Sequence, residues 1–129
     1  MATYGEYDVI PGLVAQGDLS SSQYKIVIAC STAGQVKVGS TAATDPILGV
    51  LQNDPSATGQ PAEVAFSGIC KVLAETSVAY GDEVTVSSTG RAKSTTTDGN
   101  RIIGIALEAS ASAGDAIRIL LCRHDRYKA

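Results

Sequence analysis

The residues best suited to nucleophilic or metal chemistry are His124, Cys30, Cys70 and Cys122, and their placement argues against both. A serine or cysteine nucleophile needs a base beside it, and the one histidine stands in a charged tail over residues 123–128. No G-x-S-x-G elbow is present to expose a serine. The cysteines are odd in number, widely separated and each set in an apolar β-like run, which reads as buried, reduced thiols rather than a disulfide framework. There is no C-x-x-C, no H-E-x-x-H and no calcium-loop spacing, so no metal is expected. Neither phosphate-cradling glycine motif occurs, so no nucleotide cofactor is expected. The carboxylate neighbours Asp82 and Glu83, and Asp54 near Glu63, are spaced as turn and solvent-face residues, without the burial that general acid work requires. The chain reads as a non-enzyme.

The elements that would have to hold such residues point the same way. At 129 residues the chain has room for one domain, and its composition is 44% hydrophobic but 5% aromatic, with no Trp and one Phe. The apolar content is therefore mostly alanine, valine and isoleucine, and the core is expected to be thin and to draw support from neighbouring subunits. Ten basic against 13 acidic residues give no electrostatic footprint for a phosphate backbone, and Arg91, Lys93 and Arg101 flank a Ser/Thr loop without aromatic partners. Nucleic acid is not an expected partner. No stretch approaches the roughly 18 apolar residues of a membrane helix, and the start carries no basic, apolar leader pattern. The expectation is a soluble protein made in a cytoplasm, without membrane contact.

Residues 1–22 show neither helical nor strand periodicity, lack Lys and Arg, and read as an extended arm. Tyr4, Tyr7, Val9, Ile10 and Pro11 lie on it, and apolar groups on so short an arm are expected to rest on a partner surface or a sister subunit. Residues 23–129 read as a single β domain, opening with a hairpin over 24–38. Residues 40–45 suggest one short turn before Pro46. Sliding the chain on itself by 55 residues reveals an ungapped repeat: 47–66 matches 102–121. In it Gly49 aligns with Gly104, Gly59 with Gly114, and the alternating Ala62, Val64 and Phe66 with Ile117, Ile119 and Leu121. Each copy is a long hairpin whose period-two face must be buried, so the two are expected to pack together in a small barrel or sandwich. The fold class is all-β. The basic tail offers a possible electrostatic partner for the acidic arm, with a solvated tail as the simpler reading.

The segment over 17–24 (GDLSSSQY), the strand ILGVLQ at 47–52, the strand AEVAFSG at 62–68, the element YGDEV at 80–84 and the close IGIALEA at 103–109 with Gly114-Asp115 resemble the capsid decoration, or head cement, proteins of tailed bacteriophages and prophages. The resemblance runs over nearly the whole chain from about residue 17. It implies a barrel-like or tulip-like β core, a homotrimer, and attachment to the major capsid protein on the outside of the expanded capsid, which the protein would stabilise mechanically. It also implies a virion location after synthesis in the bacterial host cytoplasm. On this reading Tyr4, Tyr7, Val9, Ile10 and Pro11 are capsid- or subunit-contacting residues. The alternatives are another phage structural β module (spike, tail or receptor-binding) and a recombination-associated nucleic-acid binder, against which the acidic balance speaks.

Overall fold

Runs of valine and isoleucine broken by turn residues leave little choice but strands. The computed structural model describes residues 7–42 and 44–125. Among them the chain forms β1 (Tyr7–Val9), β2 (Val14–Ala15), β3 (Ile26–Ala29), β4 (Gln35–Val38), β5 (Ile47–Leu51), β6 (Val64–Leu73), β7 (Glu83–Val86), β8 (Ala92–Ser94), β9 (Arg101–Ala106) and β10 (Ala116–Asp125). One sheet runs β2-β4-β3-β5-β6-β10-β9-β7-β8, with β1 added to β6. β2 joins β4 in parallel and the other ladders are antiparallel.

The fold is all-β and the sheet is mixed and open, which corrects the barrel alternative. Barrel closure requires a continuous ladder between the end strands. Here, among the described residues, the end strands β2 and β8 do not pair, and β8 is bridged instead by Ala92 to Ala74, just after β6. The sheet instead folds back so that Ile26 and Ile28 of β3 share one core with Val84, Ile103 and Ile119, an arrangement consistent with a sandwich. Leu19, Val27, Val36, Leu51 and Val64 form a second, smaller core.

The predicted hairpins form in matching registers. Val50 pairs with Ala65 in the first and Ile105 with Leu120 in the second, each pair 55 residues from its counterpart. At both places a glycine lies so close to the partner strand that a Cβ would stand 2.0 Å from the Ala65 carbonyl oxygen at Gly49 and 2.3 Å from that of Leu120 at Gly104. Only glycine permits this approach.

The duplication extends well beyond these hairpins. The strand order reads β4-β3-β5-β6 and then β10-β9-β7-β8, so β3, β4, β5 and β6 have counterparts in β7, β8, β9 and β10. Backbone hydrogen bonds recur with it. Tyr24 donates to Leu51 at 2.6 Å as Gly81 does to Ala106 at 2.8 Å, and Leu19 donates to Pro55 as Val78 does to Ser110. Gly59 donates to Ala15 as Gly114 does to Ala74, and Gln16 to Val36 as Glu75 to Ala92. Residues 15–19 therefore have counterparts at 74–78. From Tyr7 onward the segment read as an arm lies along the domain, with β1 on β6, β2 on β4, and Ala15 and Leu19 buried.

Candidate functional site

β1 is placed by its register on β6, where Tyr7 faces Gly68 and Val9 faces Ala65 across a bulge. The Tyr7 hydroxyl donates a hydrogen bond to the Glu63 carboxylate. Burial, then this bond and the adjacent negative charge, push the phenol well above the usual tyrosine range, so it stays protonated. Asp8 accepts a hydrogen bond from the Ser67 hydroxyl at 2.9 Å, a second side-chain tie between the two strands.

Beyond β1 the chain turns at Gly12, whose φ of 82° suits glycine, and returns as β2. Val9, Ile10, Pro11, Leu13, Ala62 and Glu63 line an open groove of about 380 Å³. Ile10 and Leu13 pack against the smaller core, whereas Val9 is 38% exposed and Pro11 is exposed. Val9, Ile10 and Pro11 are thus brought together at one groove. Tyr7 stands apart from them, tied to the Glu63 that borders it. Tyr4 lies outside the described residues, as do tail residues 126–129.

Two apolar surface positions escape sequence reasoning. Phe66 is 42% exposed although it continues the alternation of the buried Ala62 and Val64, and its counterpart Leu121 is 7% exposed. Leu120 is likewise 42% exposed, whereas its counterpart Ala65 is fully buried. Periodicity assigns a face to each residue but does not say whether anything covers that face. The cysteine reading needs correction too. Cys70 is buried and its thiol is pushed up to about 12 by desolvation, and Cys30 is half-buried, but Cys122 is exposed. It lies on the same outward-facing series of β10 as Leu120, opposite the buried Ile117, Ile119 and Leu121. Among the described residues no group of His, Cys, Asp and Glu side chains could hold a metal ion. No helix among them is long and apolar enough to cross a membrane.

The described residues thus form an all-β protein whose exposed apolar side chains lie on strand faces and at one open groove. A family model described as phage cement protein matches residues 20–121, and the chain belongs to that family. It is a non-enzymatic, capsid-associated structural protein of a bacteriophage. In fold it is similar to the head fiber gp8.5 N base of bacteriophage phi29, with a TM-score of 0.65 at 16% identity, covering 88% of this chain and 92% of that one. Comparison with curated proteins returns no match.

Proposed function

We propose that this protein is a capsid cement. It binds the major capsid protein on the outer surface of the expanded shell as a homotrimer and holds the lattice against internal pressure. The observation that carries the reading is the family membership over residues 20–121, joined by exposed apolar groups on strands rather than in a catalytic pocket. A protein bound across the joints of a lattice stabilises only the assembled state, and three simultaneous contacts make later ones intramolecular. Residues 1–22 supply the contact, with Tyr4, Tyr7, Val9, Ile10 and Pro11 facing the shell or a sister subunit. The protein is made in the host cytoplasm and joins the head after expansion.

Purified protein added to undecorated expanded heads should bind to saturation in multiples of three per lattice unit and delay the opening of heated heads. Replacing the exposed Val9 and Pro11 by Lys should lower occupancy about tenfold or more without unfolding the protein. Full occupancy by that variant rejects the contact assignment. Failure of the native protein to bind heads rejects the cement reading itself.

A further inference from the structure

The two halves of the molecule are joined head to tail, and each carries both surfaces of that joint. In the joint that exists, the outer face of the first half is seated on the second. Ile26, Ile28, Val50 and Ala65 are at most 5% exposed and share a core with Val86 and Leu121 of the second half. The turn glycine of the second half, Gly90, is pressed so closely that a Cβ there would stand 2.1 Å from Val38 Cγ1. Its carbonyl also accepts the Ile26 amide at 2.7 Å.

Among the described residues the same two surfaces recur less fully covered, although the Gly34 carbonyl accepts the Val14 amide at 2.9 Å and Thr85 is buried. The counterpart of Gly90 is Gly34, with φ of 84° against 85°, and nothing lies within 4 Å of a Cβ built there. The counterpart of Leu121 is Phe66, which is 42% exposed. On the opposite side, the counterparts of the buried Val50 and Ala65 are Ile105, which is half-buried, and Leu120, which is 42% exposed. Leu120 lies between Ile105 and Ile69 in register, so these three make an apolar row across the sheet.

We infer that a second copy of this chain covers these surfaces. Its Leu120 face seats on the Phe66 and Gly34 end of its neighbour, repeating between molecules the joint that binds the halves within one. Such a contact is heterologous: each copy offers one surface and receives on the other, which generates a closed ring when the rotation permits. The intermolecular joint is weaker than the internal one. The second half carries Glu83 and the buried Thr85 where the first carries Ile26 and Ile28, as the shared pairings with Ile105 and with Val50 place them, so the apolar part of that face left open is Ile105 and Leu120. This assignment of faces deepens the trimer reading by naming its interface, and it does not depend on the capsid as partner.

The test is the mass in solution of the full chain, by native mass spectrometry and sedimentation. Native protein should associate, and Leu120→Lys and Phe66→Lys should each weaken association about tenfold or more while keeping the native circular dichroism. Because each variant retains the surface the other lacks, an equimolar mixture should form one-to-one pairs that grow no further. A symmetric face-to-face contact would give no such rescue, and absence of mixed pairs overturns the proposal. Native oligomers that survive both substitutions overturn the face assignment and leave the trimer standing. A native protein that stays monomeric at millimolar concentration overturns both, and leaves binding to heads as a separate measurement.

Discussion

Gly49 and Gly104 show how one missing methyl group can hold a hairpin in register. A Cβ at either position would overlap the facing carbonyl oxygen, and backbone cannot rotate away as a side chain can. Gly49→Ala and Gly104→Ala should each destabilise the protein by about 2 kcal/mol or more, read as a lower urea midpoint. Gly59→Ala, with nothing within 4 Å but a φ of 91°, should cost only the backbone strain, about 1 kcal/mol. Tyr7 offers a test of a different kind. Tyr7→Phe removes the hydrogen bond to Glu63 and should cost about 1 to 2 kcal/mol. The folded state holds the phenol protonated beyond the ordinary tyrosine value, so the bond's stabilisation is complete below about pH 10 and is lost as pH rises further. The stability gap between native protein and the Phe variant should therefore close above that pH. A gap that is constant to pH 12 would show that folding does not hold the phenol protonated.

At the scale of elements, the turn leading into β3 shows what the halves share and how they have diverged. Tyr24 has a φ of 70°, a left-handed conformation that side chains seldom adopt, and its counterpart is Gly81, with φ of 91°. Tyr24 is held by its amide bond to Leu51, and its ring carries the Lys71 ammonium 5.9 Å above its centre. A β-branched residue suits this conformation least, so Tyr24→Val should cost about 1 to 2 kcal/mol in the urea midpoint. Tyr24→Gly should stay close to the native value, because relief of strain offsets the lost ring contact and added chain entropy. The same turn explains how much of the fold the sequence discloses. Four residues separate Leu19 from Tyr24 but two separate Val78 from Gly81, so the spacing between counterparts falls from 59 to 57 and reaches 55 only from β5 onward. A rigid slide of the chain on itself thus finds 47–66 against 102–121 and misses β3, β4 and the 15–19 segment. The all-β class and both hairpins are legible because alternation survives substitution. Two-residue strands such as β2 are not, since Val14 and Ala15 are too few to show a period. Of the candidate site, Val9, Ile10 and Pro11 are legible as apolar residues outside any pattern. Phe66 and Leu120 are hidden within patterns that mark their neighbours as core.

For the molecule as a whole, the head-to-tail joint decides whether the two halves can unfold separately. The smaller core is drawn from the first half, but the larger one takes Ile26, Ile28, Val50 and Ala65 from the first half to close the second. The second half therefore lacks a complete core without its neighbour, and β6 serves both, pairing with β5 at one end and β10 at the other. Melting either half would expose apolar surface on the other, which makes the transition cooperative. Gly39 illustrates the tightness of the joint: a Cβ there would stand 3.0 Å from Ile28 Cγ2 and 3.2 Å from Val86 Cγ2. Ile28→Ala leaves a cavity at that seam and should cost about 2 to 4 kcal/mol, with a single urea transition of unchanged slope. Thr85, the counterpart of Ile28, is also buried but uses its hydroxyl locally, donating to the Arg101 carbonyl at 2.6 Å. Thr85→Val keeps the volume and removes one bond, so it should cost about 1 to 2 kcal/mol, less than the loss of the Ile28 side chain. Two separated transitions in Ile28→Ala would mean that the halves are independent modules. The joint would then be a mere contact, and the case for its repetition between molecules would lose its template.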